Sequence, residues 1–154
     1  MKRIDFTNQI NQIKKIKDKK GYKIGFTCSC FDLLHAGHIL MLQDCKKQCD
    51  YLVVGLQTDP TIDRAEKNKP IQSLQERKIQ LEAVKYIDKI IIYETENDLY
   101  RLLYDMMPDV RILGTDYIDK YFTGIDIPNI DIYFHKRNHN YSSSELRKNI
   151  SKKK

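Results

Sequence analysis

Thr27-Cys28-Ser29-Cys30-Phe31-Asp32-Leu33-Leu34-His35-Ala36-Gly37-His38 is the stretch on which the rest of this chain turns. It joins a short apolar run, Tyr22 to Thr27, to residues with helical apolar spacing from Gly37 to about Cys49, which predicts a strand followed by a helix. Ile39, Leu40, Met41 and Leu42 are expected to supply that helix's apolar face. Two histidines three apart fall where the helix begins, with Asp32 just ahead of them. A helix start presents unpaired backbone N–H groups and the positive end of the helix dipole, so anions are favoured there. Two imidazoles and a carboxylate at that point make a phosphate-handling site the leading reading. Gly37 would let a ligand approach the backbone closely.

Other readings of the same residues stay open. Cys28, Cys30, His35 and His38 form a Cys-His set that could be taken for a metal site. Their spacing speaks against it, because Cys-x-Cys on a strand points its thiols to opposite sides and zinc sites space their cysteines more widely; no metal ligand is assigned. One or both histidines could be hydrogen-bonded core residues. A cysteine nucleophile beside a histidine is also conceivable, but adjacency in sequence is weak support for it.

Downstream, Asp50 to Gln57 is a near-continuous apolar run, as in a strand covered on both faces. Asp88 to Glu94, Val110 to Gly114 and Ile130 to Phe134 read as further strands. Between them lie helical patterns. Phe6, Ile10, Ile13 and Ile16 mark a first amphipathic helix stopped by Gly21. Ser73 with Glu76 is a capping box for a helix to about Tyr86, with Ile79, Leu81, Ala83, Val84 and Ile87 inward. Asn97 to Met107 is a helix ended by Pro108, and Ser142 starts a last one through Ile150. Thr58 to Ile71 breaks the periodicity and reads as a mobile loop holding Arg64, Lys67 and Lys69. Strand and helix in alternation predict an α/β fold, a Rossmann-like doubly wound parallel sheet of about five strands with helices on both faces. The division expected is a helix over 1–20, one domain over 21–150 and a basic tail over 151–154. Ligands of such sheets sit beyond the strands' C-terminal ends, where Asp32 to His38, Thr58-Asp59, Gly114 to Asp116 and Arg137 to Ser144 fall.

The 154 residues suit one domain with a sizeable core. No apolar run is long enough to span a membrane and no secretion signal is seen, so the expectation is a cytoplasmic protein with no membrane partner. In that setting the four cysteines read as reduced thiols. The net charge of +6 collects in Lys14 to Lys20 and Lys152 to Lys154, solvated runs without stacking aromatics, so nucleic acid is not the expected partner. Arg137-Asn138-His139-Asn140-Tyr141-Ser142-Ser143-Ser144 is the second informative stretch. Hydroxyls and amides at a helix start could bind an anion, with Arg137 gripping phosphate in a fork; an ordinary serine cap is the alternative.

The strand followed by Cys30-Phe31-Asp32-Leu33-Leu34-His35-Ala36-Gly37-His38 resembles the signature of the nucleotidyltransferase superfamily with a His-x-Gly-His motif, and is most similar to its small cytidylyltransferase-like members. Asp50 through Asp59, and Glu76-Arg77-Lys78 through Tyr86-Ile87-Asp88, resemble the glycerol-3-phosphate cytidylyltransferases. Arg137 through Ser144 matches their closing Arg-Thr-x-Gly-Ile-Ser-Thr-Thr stretch without a gap. The resemblance implies transfer of CMP from CTP to a phosphorylated alcohol, glycerol 3-phosphate first, with Mg²⁺ and release of pyrophosphate. It implies that His35 and His38 contact the α-phosphate and leaving phosphates and that the Cys30 and Phe31 amides line the triphosphate. Asp32 would orient the site or reach the metal through water. Lys67, Arg64 or Lys69 would cover the substrate from the loop, and Arg77 would hold the acceptor phosphate. Gly37, Gly114, Asp116, Arg137, Ser142, Ser143 and Ser144 would complete the nucleotide pocket, in a homodimer.

Three positions depart from that pattern. Ser29 replaces a frequent Gly, Asn140 replaces the Gly of the closing motif, and Cys30 stands where the glycerol phosphate enzymes have Thr. Cys30 and Gly114-Thr115-Asp116-Tyr117 are instead similar to the sugar-phosphate adenylyltransferases that make ADP-heptose. The alternatives are therefore ATP acting on a sugar phosphate or flavin precursor, and a nucleotide-binding module without turnover.

Overall fold

The computed structural model describes residues 3–152; the outermost residues of the expected first helix and basic tail, 1–2 and 153–154, lie outside them. Five strands form one parallel sheet in the order β3-β2-β1-β4-β5. They are β1 (Ile24–Ser29), β2 (Tyr51–Gln57), β3 (Lys89–Tyr93), β4 (Val110–Gly114) and β5 (Asp131–His135). The helices are α1 (Thr7–Lys20), α2 (Ala36–Lys47), α3 (Leu74–Glu82), α4 (Glu96–Met106) and α5 (Ser143–Lys152). This is the doubly wound α/β arrangement that the alternation predicts.

Two-residue alternation along the strands divides the core into two halves. Phe26 and Val53 face a cluster with Ile91, closed by Phe6, Ile10 and Ile13 of the α1 region and Leu99, Leu102, Leu103 and Met106 of α4. Leu52, Val54 and Leu56 face the other way, onto Leu42 and Cys45 of α2 and Leu81 of α3. Because both faces are covered, β2 reads as an unbroken apolar run. All four cysteines are free thiols, and burial raises the Cys45 thiol far above its ordinary range. Among the described residues no helix is long and apolar enough to cross a membrane.

Several elements depart from the sequence expectation for identifiable reasons. The first strand is Ile24–Ser29 rather than Tyr22 to Thr27, because the ladder with β2 begins at Ile24 opposite Tyr51. The capping box of Ser73 and Glu76 is present, but α3 stops at Glu82. Its last amides, Ala83 and Val84, turn to the carbonyls of Gln80 and Leu81, a tightened end. Ile79 is 56% exposed and Ala83 is exposed, since α3 buries Arg77 and Leu81, four apart, and a residue two positions away faces outward. Leu40 is 42% exposed for the same reason, opposite the buried Leu42. The helix expected at Asn97 starts at Glu96, capped by Thr95 with Asp98 reaching back. Helix α5 contributes no buried residue and is held by polar contacts described below.

Candidate active site

The connection from β1 to α2 is shaped by two unusual backbone conformations. Phe31 and Leu33 have φ of 49° and 52°, left-handed geometry that costs a residue with a Cβ about 1 kcal/mol. The residue between them fastens the turn. Asp32 is 3% exposed, and its two carboxylate oxygens accept the amides of Gln72 and Ile71 at 2.9 Å each. Gln72 Oε1 in turn accepts the Leu33 amide at 2.8 Å. Arg147 of α5 donates to Asp32 Oδ2 at 2.6 Å, and Ser143 Oγ donates to the Asp32 carbonyl at 2.9 Å. Burial works to raise the Asp32 carboxyl, but the two amides and Arg147 outweigh it and hold it below the usual carboxylate range.

The turn delivers the chain to α2 with His35 as its N-cap. His35 Nδ1 accepts the Gly37 amide at 3.0 Å, and His38 Nδ1 accepts the His35 amide at 3.2 Å. This is a capping box built from imidazoles in place of Ser and Glu. An Nδ1 that accepts a hydrogen bond carries no proton, so the neutral ring bears its proton on Nε2. Two Nε2–H donors thus stand side by side, with ring centroids 3.9 Å apart, at a helix start whose first turn holds no acidic side chain. Burial, then the charges of Arg137 and His139, disfavour protonation of His35. Burial, then His35, hold His38 down at about 4, although Asp32 pulls the other way. At neutral pH both rings are uncharged donors.

A cavity of about 920 Å³ opens over this point, lined by His35, Arg137, His139, Tyr141, Ser142 and Glu145 among others. Gly37 packs against three of these lining residues: a Cβ there would stand 2.8 Å from the rings of His35 and His139 and 2.9 Å from the Tyr141 carbonyl. Arg137 donates to that same carbonyl. The structure therefore brings together His35, His38, Gly37, Arg137 and Ser142. Ser142 Oγ accepts the Glu145 amide at 3.0 Å as the cap of α5, Ser143 is tied to Asp32, and Ser144 is exposed on the first turn. Of the three hydroxyls, Ser143 has thus spent its proton within the protein, whereas Ser142 accepts only and keeps its O–H. Cys30 offers its carbonyl to Arg77, and the Phe31 amide lies 3.5 Å from Ser29 Oγ. Gly114 ends β4 and Asp116 follows it, both outside the cavity's lining, and Lys67 and Lys69 are exposed on the 58–71 loop.

Three residues singled out in the sequence make contacts within the protein, and for Arg77 these correct the expectation. Arg77 is 2% exposed, and its guanidinium donates to the carbonyls of Gln57 (2.7 Å), Thr58 (2.6 Å), Cys30 (2.9 Å) and Gln72 (3.2 Å). It binds strand ends together and has no fork left for an acceptor phosphate. Arg64 holds Gln57 Oε1 and Glu96 Oε1 at 2.9 Å each. Asp32 is engaged on both oxygens, which suits the orienting role expected of it. No cluster of three or more metal-ligating histidine, cysteine, aspartate or glutamate side chains occurs among the described residues. Mg²⁺ would instead come with the phosphates of a nucleotide, as part of the substrate. Two participants escaped the sequence reading. Arg147 lies four residues after Ser143, hence on the same face of α5, and His139 stands within the closing stretch already singled out.

Fold and site together define a parallel α/β domain with paired imidazoles at the helix start that follows its first strand. The chain belongs to the cytidylyltransferase-like family, whose model matches residues 26–149. Curated relatives include the bifunctional protein HldE of Hyphomonas neptunium, 40% identical over 70% of this chain and 22% of that protein. The HldE of Campylobacter jejuni subsp. jejuni is 34% identical over 82% of this chain and 28% of that protein. The chain thus spans about a quarter of the length of these relatives. Among solved structures, the lipopolysaccharide core biosynthesis protein of Thermoplasma volcanium superposes with a TM-score of 0.55 at 25% identity, over 86% of this chain and 88% of that one. The pantoate-beta-alanine ligase of Francisella tularensis shares the fold, with a TM-score of 0.57 at 20% identity over 90% and 70% of the two chains.

Proposed function

We propose that this chain is a nucleotidyltransferase that moves the adenylyl group of ATP onto a sugar phosphate and releases pyrophosphate. The observation that carries the chemistry is the pair of Nε2–H donors of His35 and His38 at the start of α2. An acceptor phosphate oxygen attacks the α-phosphorus in line, a new P–O bond forms, and the bond to the β-phosphate oxygen breaks. Negative charge builds on the non-bridging and leaving oxygens. Neutral donors fixed by backbone hydrogen bonds stabilise that charge without reorganising. Arg137 adds a positive charge at the rim, and no side chain has to become a nucleophile.

The choice of ATP and a sugar phosphate rests on three supports. Cys30 and Gly114-Thr115-Asp116-Tyr117 resemble the enzymes that make ADP-heptose, the curated relatives are HldE proteins, and the Thermoplasma neighbour is named for lipopolysaccharide core biosynthesis. These outweigh the initial expectation of CTP and glycerol 3-phosphate, which keeps the support of the closing stretch from Arg137 to Ser144. A homodimer is part of the same proposal. The test is pyrophosphate release from ATP or CTP with a panel of sugar phosphates, glycerol 3-phosphate, and choline and ethanolamine phosphates. ATP with a sugar phosphate is the expected pair. Turnover only with CTP and glycerol 3-phosphate would replace the substrates and leave the chemistry. Nucleotide binding with no turnover on any pair would make the chain a binding module. In the active pair, His38→Ala should lower kcat by roughly a hundred-fold or more while nucleotide still binds.

A further inference from the structure

The loop between β5 and α5 carries a third histidine with the same Nδ1 hydrogen-bond arrangement as the motif pair. His139 Nδ1 accepts the Tyr141 amide at 3.1 Å, just as His35 and His38 accept amides of their own turn. Neutral His139 therefore bears its ring proton on Nε2. That Nε2 is buried and meets no acceptor among the described residues. Burying a donor with nothing to donate to is unfavourable, and such groups in folded proteins call for a reason.

The ring's surroundings supply one. His139 lines the same cavity as His35 and Arg137 and stacks on Tyr141 with centroids 5.0 Å apart. It shares Gly37 with His35, each ring standing 2.8 Å from where a Cβ would be. His35 touches His38 on one side and approaches His139 across the bare α-carbon on the other. Three imidazoles, each with Nδ1 engaged by a backbone amide, thus surround one helix start. Glu145 is the carboxylate among the cavity's lining residues, and Arg137 the guanidinium.

We propose that His139 is a third phosphate-binding imidazole, which donates its Nε2–H to the terminal phosphates of the nucleotide, the part that leaves as pyrophosphate. His35 and His38 hold the helix start, where the reacting phosphorus is placed, and His139 stands with Arg137 on the loop that faces it. No proton leaves His139; it acts as a donor only. The inference rests on the nucleotidyl-transfer reading of the site.

Two substitutions separate its two ring nitrogens. In His139→Asn the amide oxygen takes the place of Nδ1 and keeps the Tyr141 bond, while the outer donor is lost. In His139→Gln an amide N–H stands near the position of Nε2. Calorimetric titration of each variant with inorganic pyrophosphate and with AMP, beside nucleotide KM in pyrophosphate release, reads the difference. His139→Asn should weaken pyrophosphate binding and raise nucleotide KM by roughly ten- to a hundred-fold, the range for a hydrogen bond to a charged group. AMP binding should be unchanged, and His139→Gln should recover most of the loss. Wild-type pyrophosphate affinity in His139→Asn would overturn the proposal, as would equal damage in His139→Gln, which would place the role in the loop. Either result alongside normal wild-type turnover sinks this inference alone. A wild-type chain that binds neither pyrophosphate nor nucleotide sinks the nucleotidyl-transfer reading with it.

Discussion

His38 sits in the first turn of α2 with its ring 5.5 Å from that of Phe31 and its Nδ1 engaged by the amide of His35. Keeping that ring neutral has a measurable consequence. Burial and the neighbouring His35 lower its proton affinity from the ordinary 6.5 to about 4. Between those values the unfolded chain binds more protons than the folded one, so stability is complete above about 6.5 and declines as pH falls toward 4. The decline attributable to His38 is about 3 kcal/mol. His35, lowered in the same direction, adds to it. Urea unfolding of wild type and His38→Gln at pH 7 and pH 4.5 checks this, with a clearly smaller pH dependence expected in the variant. An equal slope in both proteins would show that His38 is not held neutral.

At the scale of elements, Arg77 is the tie between α3 and the C-terminal ends of β1 and β2. Its donors reach the carbonyls of Cys30, Gln57 and Thr58 where those strands end, and of Gln72 just before α3. A buried arginine is expensive to desolvate, but removing it leaves those carbonyls and a cavity behind. Arg77→Ala should therefore destabilise the chain by about 3 kcal/mol or more. For a chain of this size that is a fall in Tm of roughly 10 °C. Arg77→Lys should recover little, because an ammonium cannot span the same set of carbonyls with a planar fork. Thermal unfolding followed by circular dichroism distinguishes this from a role in acceptor binding. A variant that melts like wild type but loses acceptor affinity would restore the sequence-based expectation. Capping is a smaller matter: Thr95→Ala, which removes the bond to the Asp98 amide at the start of α4, should cost about 1 kcal/mol.

Across the whole molecule, Asp32 connects parts of the chain that are far apart in sequence. Its carboxylate holds the amides of Ile71 and Gln72 before α3 and the guanidinium of Arg147 in α5. Since α5 buries no residue of its own, the Arg147 and Ser143 contacts to Asp32 are what attach it beside the imidazoles. Asp32→Asn keeps the shape but loses one acceptor and the charge. Hydrogen exchange at Ile71, Gln72 and along α5 should then accelerate by roughly ten-fold or more, with the β2 amides unaffected. Nucleotide KM should rise alongside, because the loop carrying Arg137 and His139 is anchored through α5. Unchanged exchange in α5 would mean that other contacts seat it.

Much of this is legible in the sequence alone. The apolar run of Tyr51 to Gln57 and the strand–helix alternation determined a doubly wound parallel sheet, because residues two apart share a strand face and only a sheet covered on both sides permits an unbroken run. The pair His35 and His38 beside Gly37 determined that two imidazoles meet at a helix start, because a helix start and its first turn are local in sequence. What the tertiary structure decided concerns partners that sequence distance conceals. Arg77 looked like a substrate ligand, since nothing near it in sequence reveals that carbonyls from two strand ends converge on its fork. Asp32 looked like a metal or orienting carboxylate until Arg147, 115 positions on, proved to meet it. His139 acquires meaning only beside Gly37, about a hundred residues earlier in the chain. Short-range periodicity fixes which surfaces are apolar and where helices begin, whereas the satisfaction of a buried charge or donor depends on whatever the fold brings within about 3 Å.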